Sequence, residues 1–349
     1  MKKRTLLILG LAFILIIAGG LGSIFFYQRL DAEKKASEIN KKFKYDNSEE
    51  LVLDIKNSAS IHLATSDDEY VHMNKQGLNF GSKQKESATW NVVKKDKKTT
   101  VTIDNKVSDK TIKPAIFNFE SISDDSIFLK LPENYKKITI KGDKVDISAD
   151  DLSLAKLDVD IKRGNFYSNN LTIQDLTINN KFGDLYVQDG KFEKDVKLVT
   201  STGNIHVENA IFKSLEMETK NGDAFTANTK GNLKISNQYG NTSINHTIGL
   251  VDVDNKNSDI FFHSNNISHD VKLNTVHGNI QLEMDKASYN DNKMDLKTDY
   301  GIVSIFNKNL SSETSFTSDK GDASIKATSK NGDISVNEID KDDTKYEYD

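Results

Sequence analysis

Cysteine is absent from the 349-residue chain. That excludes disulfides, a thiol nucleophile, Cys-ligated zinc or iron–sulfur sites and a lipoprotein-type anchor cysteine. Proline occurs twice, tryptophan once, and arginine only as Arg4, Arg29 and Arg163. Basic charge is not in excess either: 47 Lys and Arg stand against 52 Asp and Glu, a formal net charge of −5. Without a basic field to hold phosphates, nucleic acid is not an expected partner. No G-x-S-x-G, P-loop or H-E-x-x-H motif occurs. The seven histidines (His62, His72, His206, His246, His263, His269 and His277) share no spacing that would gather a metal site, and His263 and His269 read as solvated. No metal and no cofactor is expected, and no catalytic residue stands out.

What is present begins at the N-terminus. Lys2, Lys3 and Arg4 precede an uncharged, mostly apolar run from Thr5 to Gln28. As a helix rising about 1.5 Å per residue, this run reaches roughly 36 Å, enough to cross a bilayer core of about 30 Å. A cleaved signal peptide is the rival reading, because Ala18-Gly19-Gly20 resembles a small-residue cleavage site. The run nevertheless stays apolar through Leu21, Ile24, Phe25, Phe26 and Tyr27, which favours a retained anchor. The expected layout is a cytosolic head at 1–4, a transmembrane helix at 5–28 and a charged stalk at 29–44. The rest of the chain is then extracytoplasmic, on a single-pass cell-membrane protein.

Beyond the stalk, period-two alternation replaces helical periodicity, as in LVLDI at 51–55 and IFLKL at 127–131. Residues 45–141 read as an irregular β-block. From 142 to 337 the chain repeats about the turn glycines Gly164, Gly183, Gly203, Gly222, Gly240, Gly278, Gly301, Gly321 and Gly332, with Ser258 substituting once. The anchors are mostly 18 to 23 residues apart, the last pair only 11. At offsets −7, −5, +2 and +4 from each anchor, every slot is apolar except Ser168, Thr226, Thr242 and Thr314. Each repeat therefore carries two strands, each with one inward face, joined at a residue able to take positive φ.

An antiparallel β-meander and a parallel β-solenoid of roughly nine coils both fit this spacing. The polar slots favour the solenoid. Offset +1 alternates as Asn165, Asp184, Asn204, Asp223, Asn241, Asp259 and Asn279, followed by Ile302, Asp322 and Asp333. Offset −6 alternates in sign as Lys197, Glu216, Lys234, Asp252, Lys272 and Asp295. In a parallel stack, like-numbered residues lie about 4.8 Å apart, so alternation prevents carboxylates from facing each other. A meander gives no reason for alternation by repeat number. The last segment, 338–349, is an acidic tail expected to close the open coil end.

The basic head, the single span, the Leu131-Pro132 that ends the β-block, and the GDLYV, GNIHV, GNIQL and GDISV units together resemble the bacterial putative-adhesin β-strand-repeat family, its LiaG-like members in particular. The resemblance runs from about Val52 to Asn337. It implies a membrane-tethered extracytoplasmic β-solenoid, of a kind associated with envelope stress in Gram-positive bacteria, and it supplies no catalytic residues.

One outward slot stands apart. Offset +3 reads Tyr167, Tyr186, His206, Phe225, Ser243 and Phe261, a ladder of rings that offers a surface to a cell-envelope glycan or protein. The plainer reading is that these rings stack on one another and stabilise the rungs. The expected function is a non-enzymatic, adhesin-like interaction module of the cell envelope. One rival is a glycan-acting β-helix enzyme using Asp158/Asp160, Glu216/Glu218 or Asp252/Asp254; the other is a purely structural spacer.

Overall fold

The computed structural model describes residues 39–76, 87–106, 126–265, 267–306, 308–309 and 313–339. The expected head at 1–4, the span at 5–28 and most of the stalk lie outside the described residues, as does the tail from 340. Among the described residues no helix is long and apolar enough to cross a membrane. The end of the expected stalk is a strand, Ile39–Lys44, paired antiparallel with Tyr70–Gln76.

The repeats wind as a parallel β-solenoid, and the meander alternative is excluded. Leu176 lies in register between Leu157 and Val196, and Leu185 between Phe166 and Ile205. Like-numbered side chains of consecutive coils therefore meet, and the inward slots merge into one continuous core. The three polar exceptions within the coils, Ser168, Thr226 and Thr242, are buried with the rest. Thr314 falls outside any coil.

Two of the corners in each coil are built differently. The anchor glycines form the first: Gly183 has φ 140°, and a Cβ there would sit 2.0 Å from the carbonyl oxygen of Gly164 on the coil before. The second corner lies six residues later, at Asp151, Asn170, Asp189, Asn209, Asn228 and His246, all with φ near 50°. Asn and Asp tolerate this left-handed conformation through local hydrogen bonding of their short side chains. Offset +6 carries no glycine, so a search for glycine turns passes over it.

A third column seals the first corner from inside. Offset −3 reads Asn180, Thr200, Thr219, Asn237, Asn255, Thr275, Thr298 and Ser329, all buried. Asn180 Nδ2 donates to the Gly164 carbonyl at 2.7 Å, Thr200 Oγ1 to Gly183 at 3.0 Å and Thr219 Oγ1 to Gly203 at 3.1 Å. Replacing Thr219 by valine keeps the shape and removes the donor. It is expected to cost about 1–3 kcal/mol, the penalty of a stranded buried carbonyl, while Thr219→Ser retains most of the stability; urea midpoints of the two variants check this.

Both ends depart from sequential winding. The strand Lys137–Asp150 crosses the boundary expected at 141 and pairs in parallel with Glu50–Thr65 on one side and with Ser153–Arg163 and Phe166–Asn169 on the other. Beyond Glu50–Thr65 lie Lys98–Lys106 and Ser126–Leu131, again parallel. The block at 45–141 thus contributes coils to the same stack, and its irregularity is confined to antiparallel strands such as Ser87–Lys95, which pairs with Lys98–Lys106.

At the other end the chain winds past its final position and returns. Ala323–Asn331 and Ile334–Glu338 insert between the coil at 271–284 and the coil at 292–305. The anchor inferred at Gly321, with its 11-residue spacing, is therefore not a coil corner. Ser315–Ser318 instead lies antiparallel on Asn292–Thr298. The outermost coil is covered by this strand and by Lys308–Asn309. An antiparallel cap breaks the template that another parallel strand would extend.

Candidate functional site: the outward face of the second strand

The strand after each glycine corner presents offsets +1, +3 and +5 outward, and the columns they form run the length of the stack. In the +1 column each side-chain oxygen accepts the backbone N–H of the equivalent residue one coil on. Asn165 donates to Asp146, Asp184 to Asn165, Asn204 to Asp184, Asp223 to Asn204, Asn241 to Asp223, Asp259 to Asn241 and Asn279 to Asp259, at 2.6–3.3 Å. The inserted coil continues the series, with Asp333 donating to Asn279 at 2.9 Å and Ile302 to Asp333 at 2.8 Å. The Asn/Asp alternation thus follows spatial order, and the apparent break at Ile302 falls on the outermost coil of that end. Asp322 takes no part.

The −6 column belongs to the first strand, on another face. Lys197 bridges Glu216 and Glu218, each at 2.9 Å, and Lys272 reaches Asp252 at 3.1 Å. The expected pairing of Lys272 with Asp295 is corrected by the insertion: Lys326 lies between them in register and bonds Asp295 at 3.2 Å. Hydrogen bonds that Lys197 donates to Glu218 first, then to Glu216, raise its ammonium above the ordinary range, and the Lys197 bond holds the Glu216 carboxyl below its own. A depressed carboxylate stabilises the fold above its unfolded pKa, and that contribution fades as pH falls through the folded value. An acid held ionised in this way is a poor proton donor at neutral pH, and Lys137 bonds Asp158 of another candidate pair at 2.6 Å.

The rings predicted at +3 do come together, in part. Tyr167 and Tyr186 stack with centroids 5.0 Å apart and planes 7° from parallel. Tyr186 and His206 follow at 5.7 Å, and His206 and Phe225 at 4.4 Å. Phe261 is not joined to them, because Ser243 occupies the intervening rung. Upstream the column extends beyond the residues expected of it: Ser148 precedes Tyr167, and His62 stacks on Phe128 at 4.7 Å. These residues escaped the sequence reading because their strands do not follow the glycine register; only strand pairing places them in line.

Tyr167, Phe128 and Phe261 are 38–44% exposed, whereas Tyr186, His206 and Phe225 are half-buried. Burial, then Tyr186, keeps the Tyr167 phenol above its ordinary pKa and hence neutral. His263 is corrected from solvated to paired: its Nδ1 lies 2.9 Å from Glu283, one coil away, and its ring meets His246 edge-on. Among the described residues no group of three or more His, Asp or Glu could hold a metal ion.

The family model for Toastrack DUF4097 matches residues 48–337. None of the curated proteins matches the chain. Among solved structures, a putative adhesin from Bacteroides fragilis shares 16% identity at TM-score 0.39, covering 86% of this chain and 97% of its own. A putative adhesin from Parabacteroides merdae gives 11%, TM-score 0.38, 87% and 96%. A putative lipid binding protein from Parabacteroides distasonis gives 12%, TM-score 0.39, 87% and 97%.

Proposed function

Because this chain belongs to the Toastrack DUF4097 family, and because a column of stacked rings runs along its outward face, we propose that it is a non-catalytic, adhesin-like interaction module of the bacterial cell envelope. The carrying observation is the stacked series Tyr167, Tyr186, His206 and Phe225, held at rung spacing on consecutive coils. A glycan-cleaving enzyme needs an acid free to give up a proton, and one carboxylate of each candidate pair, Asp158, Glu216 and Asp252, is held by a lysine.

The apolar run from Thr5 to Gln28 anchors the module in the cell membrane, with the basic head cytosolic and the coils outside. The head, span and β-repeat order support placing it with LiaG-like members, tied to envelope stress in Gram-positive bacteria. Replacing the end rings of this series, Tyr167→Ser with Phe225→Ser, is expected to reduce retention of the full chain on isolated cell envelopes several-fold, with its circular dichroism unchanged. Undiminished retention would refute the interaction reading and favour the spacer. Turnover of envelope glycans by the protein would favour the enzyme.

A further inference from the structure

The ring column has two vacant rungs, and each is walled by rings. Where aromatics occupy consecutive rungs they stack face to face, so the interior rings turn their faces to each other and their edges to solvent. Such rings offer an outside molecule no face on which to stack. Faces are open only where the series is interrupted.

Ser243 interrupts it between Phe225 and Phe261, and Ser148 between His62 and Tyr167. Rungs of a parallel stack are about 4.8 Å apart, so the flanking rings stand two rungs, about 9.6 Å, from each other. That gap admits one six-membered ring, at the interval the column's own rings keep. The serine side chain is too short to fill it. Of the four rings that border the gaps, Tyr167 and Phe261 are exposed and His62 and Phe225 half-buried.

The rims decide what enters. Beside Ser243 lie Asn241 and Asp259 in the +1 column and Asn245 and His263 in the +5 column. Asn241 and Asp259 each spend one side-chain oxygen on the ladder. Beside Ser148 lie Asp146 and Asp150, the latter accepting the serine hydroxyl at 2.9 Å. Carboxylates and amides around a slot with apolar walls complement a ring that carries hydroxyl groups. A phenyl side chain from a protein would leave them without new partners.

We infer that Ser148 and Ser243 are the floors of two equivalent sugar-binding slots, each clamping one pyranose ring of a polysaccharide between aromatic faces. This deepens the interaction reading above and rests on it. The slots are five rungs apart, about 24 Å, so one long chain can engage both.

The test titrates the full chain, in detergent, with a β-1,4-linked N-acetylglucosamine tetramer by calorimetry, and in parallel with N-acetyltyrosinamide. The wild type is expected to bind two tetramers. Ser148→Tyr or Ser243→Tyr fills one slot with a ring that completes the stack, which leaves the melting temperature equal or higher and reduces the stoichiometry to one. The double variant is expected to bind at least about tenfold more weakly, and Ser243→Ala to leave both sites in place. No tetramer binding by the wild type, binding that survives both fillings, or binding of N-acetyltyrosinamide alone would overturn the assignment. Envelope retention of the double variant separates the two claims: if it persists while tetramer binding is lost, the slots hold sugar and the envelope contact lies elsewhere on the column.

Discussion

Replacing Gly203 by alanine is expected to disrupt the middle of the stack, at a cost on the order of 4 kcal/mol. A non-glycine residue forced into a sparsely populated backbone region costs about 1–3 kcal/mol, and overpacking a close contact about as much again. Both apply here. Gly203 has φ 146°, and a Cβ would stand 2.1 Å from the carbonyl oxygen of Gly183 and 2.5 Å from its carbon. The obstacle is backbone, so no rotamer change relieves it and the coils would have to part. Gly222 meets Gly203 in the same way, so a displaced corner is felt on both sides. Asn209, at the second corner of the same coil, has φ 52°. Asn209→Gly removes a side chain from a conformation glycine also adopts, and is expected to change stability by less than about 1 kcal/mol. Urea midpoints falling sharply for Gly203→Ala and hardly for Asn209→Gly would separate the corners; equal shifts would contradict this account.

Excising one coil, residues 194–212, is expected to give a protein markedly more stable in mild acid than at neutral pH. The cut brings Asp223 next to Asp184 in the +1 column, where Asn204 now stands between them. Two carboxylates one rung apart repel by roughly 1–3 kcal/mol, depending on how far water screens them. The repulsion raises the folded-state pKa of the pair above the unfolded value. The penalty is therefore full at neutral pH and is relieved as pH falls through the raised value. Excising two coils, 194–231, sets Asn241 next to Asp184 and restores alternation. Because the one-coil cut also takes Lys197 from Glu216 and Glu218, the decisive comparison adds Asp223→Asn to it, removing the carboxylate contact alone. Chemical denaturation at pH 7 and pH 5 should show the acid gain in the one-coil deletion and its loss in the added variant. Identical profiles would mean that the +1 side chains do not interact.

Much of the fold was legible because a parallel stack repeats every physical requirement at one period. A buried face requires apolar residues at Leu176, Val196 and Leu215, and a corner pressed against the previous corner requires glycine at 183, 203 and 222. A column of like-numbered carboxylates would repel itself, so Asn separates Asp184 from Asp223. Two further columns were equally periodic and escaped notice. The left-handed corner at Asn170, Asp189 and Asn209 uses residues common in any turn, and the buried Thr200, Thr219 and Asn237 look like ordinary polar strand positions until the glycine carbonyls they cap are seen.

The sequence by itself determined the parallel winding, the core register and the identity of the rings on the +3 face, because each follows from contacts between neighbours one repeat apart. Only the tertiary structure decided the order of the coils at both ends. Insertion of 323–338 between 271–284 and 292–305, and of Glu50–Thr65 between Ser126–Leu131 and Lys137–Asp150, joins segments far apart in the chain through backbone hydrogen bonds, which any sequence can form. Those same pairings bring His62 and Ser148 into line with Tyr167. Whether the aromatic column is a closed stack or a stack with open rungs is therefore a property of how the coils are ordered in space.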